Sequence, residues 1–233
     1  MVPTDFQMKH LLLLHGAIGA KDQLQPLAEK LNGQFTVHTL NFSGHGGAKM
    51  PEEFSIETFA ADALAYLEAN SIQQANIFGY SMGGYVALYL AKHHPEKVEK
   101  IFTLGTKFLW SPEIAAKEIK MLDAGKISEK LPAFAATLEK RHAPNDWKDV
   151  LKRTAEMMTA LGNKNVLTTA DYNSIGHPVL VGIGDKDTMV TLEETIDVYR
   201  SLKNAGLLVL PDTQHPIEKV DQARLADETI RFF

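Results

Sequence analysis

The chain has 233 residues, a formal net charge of -5 and no cysteine. That length suits one α/β domain with room for an insertion, and the acidic balance leaves no basic footprint for nucleic acid. Without cysteine there are no disulfides, thiolate metal sites or cysteine nucleophile. The opening MVPTDFQMKHLLLLHG carries only four consecutive leucines, too short for a secretory core or a membrane span, so a cytoplasmic protein is expected.

Short apolar runs at 10–14, 36–40, 76–79, 101–104, 179–183 and 207–210 each lead into glycine, a polar turn or proline, and helical patterns follow most of them. Such alternation predicts an α/β fold: a doubly wound, mostly parallel sheet of about six strands with helices on both faces. The stretch 55–69 has helical period, with Ile56, Phe59, Ala60, Ala63, Leu64 and Leu67 on one face and Ser55 as its cap. From Thr106 to about Ser174 no strand pattern occurs; SPEIAAKEIKMLDAG and DWKDVLKRTAEMMTALG read as helices, with Pro112 near a start and Gly125 and Gly162 at ends. A core of 1–105 and 175–233 with a helical cap at 106–174 is therefore expected.

The stretch IFGYSMGGYVALYL (77–90) puts Ser81 between a buried-strand pattern and an apolar helix. Gly79-Tyr80-Ser81-Met82-Gly83 fits the nucleophile elbow G-x-S-x-G, which lifts a serine above the sheet at a helix N-terminus. A glycine-rich loop with a serine cap is the plainer alternative for these five residues alone. His215, in PDTQHP after the last apolar run, stands where a loop returns to the top of the sheet, and GIGDKD offers two carboxylates, Asp185 and Asp187. No metal-binding spacing occurs among the nine histidines, and the glycines of SGHGGA lack a Walker lysine, so neither metal nor cofactor is expected.

HGAIG, NFSGHGGA, GYSMGG, GIGDKD and DTQHP follow one another in an order that resembles the α/β-hydrolase family over nearly the whole chain, and most closely its small capped esterases and menaquinone-pathway lyases. The resemblance implies Ser81 as nucleophile, His215 as base and Asp187 as orienting acid, with Asp185 a turn residue bonded to its own backbone. It implies an oxyanion hole from the backbone N–H groups of Met82 and Ala17, with Ile18 lining the pocket and His15 and His45 in supporting roles. The chain departs from the family at Gln214, where glycine usually precedes the histidine, and at Asn41, where aspartate is common.

Within the cap, Phe108, Trp110 and Met157 are expected to face the serine and form an adaptable apolar wall. Arg141 and Arg153 are expected on a solvated helix face. The function this supports is hydrolysis of a carboxylic ester bearing a medium-sized apolar acyl or alcohol group, through an acyl-enzyme. A lyase or carbon–carbon bond hydrolase of the same fold and a slow-turnover ligand receptor are the alternatives. The sequence leaves oligomeric state and physiological substrate open.

Overall fold

The computed structural model describes residues 8–233; the first seven residues of the opening segment lie outside that range. Six parallel strands, β1 (His10–Leu14), β2 (Thr36–Thr39), β3 (Ala75–Tyr80), β4 (Val98–Leu104), β5 (Val179–Gly184) and β6 (Ala205–Leu210), form one sheet in the order β2-β1-β3-β4-β5-β6. All five pairings are parallel. The chain steps outward from β1 to β2 and then returns to the other side of β1, so the strand order reverses between β1 and β3. In open α/β sheets that reversal opens a crevice at the carboxyl ends of the strands, where ligands bind.

Residues alternate between the two faces of each strand. In β1, Leu12 and Leu14 join the core built with Phe59, Val86 and Val198, while Leu11 and Leu13 pack with Leu27, Phe102 and Leu225 on the other face. Helices α1 (Gln25–Leu31) and α10 (Gln222–Phe232) cover the second core; α2 (Ile56–Ala69), α3 (Met82–His93) and α9 (Leu192–Ser201) cover the first. Ser55 caps α2 by accepting the Thr58 N–H at 3.1 Å. All the expected inward residues of α2 are buried except Leu64, which is half-buried.

Between β4 and β5 the chain is helical: α4 (Pro112–Glu118), α5 (Ala124–Lys130), α6 (Pro132–His142), α7 (Trp147–Asn163) and α8 (Thr169–Ser174). The segment read as one helix from 111 to 125 is broken by a 3-10 turn at Ile119–Leu122, and Asp123 caps a new helix. Gly125 thus lies inside α5 and does not end a helix. Ile127, Leu138, Trp147 and Leu151 form a small apolar core of their own, whereas α8 packs on α3 and α9. Among the described residues no helix is long and apolar enough to cross a membrane.

The junction of β3 with α3 is unusually close-packed. A Cβ on Gly79 would lie 2.4 Å from Gly84 Cα, and one on Gly83 would lie 2.3 Å from the Leu14 carbonyl oxygen. Backbone cannot yield there as a side chain can. Gly83→Ala is expected to lower stability by about 1–3 kcal/mol, whereas Gly176→Ala, with nothing within 4 Å of its added Cβ, is expected to be near neutral; thermal denaturation of the two side by side checks this.

Candidate active site

Ser81 is the single residue between β3 and α3, and its backbone is left-handed, with φ 51° and ψ -118°. A non-glycine residue holds such a conformation only when its neighbours over-determine it. Here the Ser81 N–H donates to Leu104 O at 2.8 Å, and Ser81 O accepts from Gly84 N–H and the Thr106 hydroxyl, both at 3.0 Å. The side chain is left at the top of the sheet, and its hydroxyl makes no hydrogen bond to the described residues.

His215 comes from the loop after β6 and meets Asp187 from the loop after β5, Nδ1 to Oδ2, at 2.7 Å. The other Asp187 oxygen accepts the N–H groups of Met189 at 2.8 Å and Val190 at 2.9 Å. Burial alone would raise the Asp187 pKa, but the His215 contact and these two donors outweigh it and hold the carboxyl below its ordinary value. Below the pair is Gly105, at φ 59°, where an added Cβ would sit 3.3 Å from both Asp187 Oδ2 and His215 Nδ1. Neither Gly105 nor Tyr80, whose hydroxyl donates to His215 O at 3.1 Å, was singled out from the sequence; nothing in a one-dimensional pattern brings them under the histidine.

Asp185 is exposed and accepts the Thr213 N–H at 3.1 Å. It ties the β5 and β6 loops together, a correction to the expectation that it bonds its own backbone. In the histidine loop the left-handed residue is Asp212, at φ 54°, so Gln214 needs no glycine-like backbone. Asn41 bridges two turns, accepting from Lys21 N–H and donating to Gly46 O, each at 2.9 Å.

Ser81 and His215 line two cavities together with Ala17. One is a small pocket of about 50 Å³ walled by Met82, Tyr85, Trp110, Met157 and Leu161. The other is a groove of about 540 Å³ that runs past Ile18, Ile127, Leu131 and Phe134. The backbone N–H groups of Ala17 and Met82 have no hydrogen-bond partner among the described residues. Of the residues expected to line a pocket, Trp110 and Met157 lie on the wall of the small cavity and Ile18 on that of the groove. Phe108 does not: its side chain packs edge-on against Tyr172 at 6.1 Å between centroids, its N–H is held by Glu194 at 3.0 Å, and it lines a separate cavity beside α8 and α9. The capping-box carboxylate of α9 fixes the backbone there and turns the ring away from Ser81.

Comparison with known proteins agrees with this architecture. A model of the alpha/beta hydrolase fold matches residues 9–142, more than half of the chain. The chain belongs to the α/β hydrolase fold family. A pimeloyl-[acyl-carrier protein] methyl ester esterase of Neisseria meningitidis serogroup C is 27% identical over 230 residues, covering 89% of this chain and 87% of the relative. One from Salmonella heidelberg is 31% identical over 203 residues, covering 85% and 72%. Among solved structures, the enol-lactonase of Burkholderia xenovorans LB400 superposes with a TM-score of 0.78 at 21% identity, covering 97% of this chain and 91% of that one. A putative lipase from Acinetobacter baumannii AYE gives 0.82 at 20%, covering 98% and 84%.

In this α/β hydrolase five of the other histidines, far apart in the sequence, meet in space. His10 and His38 meet on neighbouring strands at 2.9 Å. His15, His45 and His142 form a buried group, with ring centroids 5.3 Å apart for the first two and 5.7 Å for the last two. His15 accepts the Phe42 N–H on Nε2 at 3.2 Å, so its proton is on Nδ1 and is donated to Gly16 O at 2.8 Å. Burial pushes the His15 pKa down to about 4, and burial likewise lowers those of His45 and His142. Arg141 and Arg153 are not on a solvated face. Arg141 reaches Asp22 at 3.4 Å, and Arg153 donates to Glu52 O at 2.6 Å and Pro51 O at 3.3 Å, so both tie the helical segment to the sheet domain.

His15, whose pKa falls from near 6.5 unfolded to about 4 folded, leaves the unfolded state holding more protons between about pH 4 and 6.5, and the lowered pKa values of His45 and His142 act in the same direction below 6.5. Stability must then rise with pH across that window and be lost as pH falls through it. Each such histidine contributes a slope of up to about 1.4 kcal/mol per pH unit. Urea midpoints measured from pH 7 down to pH 4.5 are expected to fall steadily; a flat profile would mean that the group is hydrated or charged in the folded protein.

Proposed function

We propose that this hydrolase is a serine carboxylesterase in which Ser81 is the nucleophile, His215 the base and Asp187 the acid that orients it. The observation that carries the reading is the 2.7 Å bond from His215 Nδ1 to Asp187 Oδ2 at the wall of a cavity that also exposes Ser81. Ester hydrolysis is supported by its relatives, which are named as methyl ester esterases. The unbonded Ser81 hydroxyl is compatible with it, since such contacts often tighten only when substrate is bound.

In this mechanism Ser81 Oγ attacks the ester carbonyl carbon as its proton passes to His215 Nε2. The Nδ1–H of the imidazolium stays on Asp187, whose charge stabilises it. The carbonyl oxygen, now negative, takes hydrogen bonds from the N–H groups of Ala17 and Met82, the latter at the positive end of α3. Collapse breaks the bond to the alcohol, which leaves with the proton from Nε2. Water then gives a proton to Nε2 and attacks the acyl-enzyme, and the acid departs as Ser81 regains its proton.

The two cavities suggest an ester with unequal sides. At the ~10–15 Å³ that a water-sized group needs, the small pocket has room for about three to five heavy atoms, and its walls are largely apolar. The groove takes the longer side. The loop after β4 and helices α4–α7 act as the lid that shapes both, through Trp110 and Met157 for the pocket and Ile127 and Phe134 for the groove. A small alkyl ester of a longer acyl chain is the substrate class that fits, and the methyl esters named for the relatives belong to it.

Ser81→Ala is expected to lower ester hydrolysis by roughly three to six orders of magnitude with unchanged thermal unfolding; turnover within tenfold of the native enzyme would sink the assignment. A series of alkyl esters of one acid tests the pocket. Rates should fall beyond the short alcohols, and Met157→Ala should shift the preference to larger ones, by up to about 1 kcal/mol per accommodated methylene. Equal rates for methyl through hexyl esters would count against unequal sides.

A further inference from the structure

The turn after β1 carries the Ala17 N–H, and it is strained. Ile18, a β-branched residue, has φ 52°, a conformation that side chains of this shape strongly disfavour. Its neighbour on one side is fixed from the core: Gly16 O accepts from His15 Nδ1 at 2.8 Å and from Gly19 N–H at 3.2 Å. Because C=O and N–H point oppositely across a trans peptide, this turns the Ala17 N–H away from the His15 ring, and Ala17 lines the same two cavities as Ser81.

The other side of the turn is held from the lid. His142, the last residue of α6, is fully buried, and its Nε2 lies 3.0 Å from Ile18 O. Gly46 N–H donates to its Nδ1 at 3.2 Å, so the proton is on Nε2 and points at the Ile18 carbonyl. The Ile18 side chain packs against the lid's own small core. Both the carbonyl and the side chain of the strained residue are therefore anchored by helices that belong to a different part of the chain from the serine.

We propose that His142 is a positioning residue that holds the Gly16–Gly19 turn so that the Ala17 N–H faces the reacting carbonyl. The proposal rests on the oxyanion role assigned to Ala17 above. It couples lid docking to catalysis: when α6 leaves the core, Ile18 O loses its buried donor and the turn can relax to unstrained conformations that no longer aim the amide. A lid that only shaped the pocket would alter substrate choice alone; this one also governs the rate.

Four variants of the full chain test it. Glutamine places an amide N–H near the imidazole Nε2 and can restore the Ile18 bond, whereas asparagine places its oxygen near Nδ1 and can restore only the Gly46 bond. Asn145→Ala is the control, because Asn145 straps the same segment to Gly44 O at 3.1 Å and Ala48 O at 2.7 Å without touching the turn. His142→Ala and His142→Asn are expected to lower kcat by about 10- to 100-fold, part of what losing an oxyanion donor costs, with KM within about threefold. His142→Gln should recover most of kcat, and Asn145→Ala should keep it. The ratio of rates on an oxygen ester and its thionoester, whose sulfur accepts hydrogen bonds poorly, should fall in the Ala and Asn variants and return with Gln. Equal losses in His142→Gln and His142→Asn, or a loss of kcat in Asn145→Ala matching that of His142→Ala, would overturn the proposal and leave His142 a structural residue. If the alanine variant does not fold, the Gln–Asn comparison decides alone. Hydrolysis surviving in Ser81→Ala would instead refute the esterase mechanism itself, whatever the His142 variants do.

Discussion

A left-handed backbone at Ser81 costs about 1–3 kcal/mol in a residue with a side chain, and the centre of the molecule is organised to sustain it. The serine N–H is held by β4, its carbonyl by Thr106 and the first turn of α3, and the glycines around it let β1, β3 and α3 approach to backbone contact. Remove that conformation and α3 no longer starts directly above the sheet. The free N–H of Met82, the exposed hydroxyl and the crevice beside β1 all follow from the same tight turn.

A second strained residue faces the first. Ser81 follows β3 and Ile18 lies four residues beyond the end of β1, the two strands between which the sheet order reverses. The supports of the two differ in origin. The Ser81 turn is braced by β4, by Thr106 just beyond it and by α3, whereas the Ile18 turn is braced on one side by His15 from the core and on the other by His142 from the helical segment. Arg141, Asn145 and Arg153 fasten that segment to loops of the sheet domain close by. The turn after β1 is thus held in part by the helical segment between β4 and β5.

Buried polar groups with complete hydrogen bonding specify a geometry more sharply than apolar packing does, because any alternative leaves a donor or acceptor unpaired. His15 and His142 both use each ring nitrogen once, as donor and as acceptor, and their tautomers follow from their partners. His45 fills the space between them, stacked on Phe54 at 4.9 Å. Neutral imidazoles suit this place, since a charged ring there would be both desolvated and without an acceptor for its second proton.

The sequence by itself determined the sheet, the elbow and the order of the site loops. Strand runs, glycine spacing and helix caps are local, with periods of 2 and 3.6 residues and turn requirements set within a few neighbours, so 10–14 and 179–183 could be read nearly to the residue. What only the tertiary structure decided depends on which distant atoms meet. Phe108 turns away from the serine because Glu194, 86 residues later, holds its backbone. Asp185 sits in the expected turn but its carboxylate bonds Thr213, not its own backbone, and Asp187 takes His215. His142 stood in the sequence as one more isolated histidine; its partners, Ile18 and Gly46, are 124 and 96 residues away. No periodicity records such pairings, because they are fixed by how the helical segment docks on the sheet and by the need of buried donors to find acceptors there.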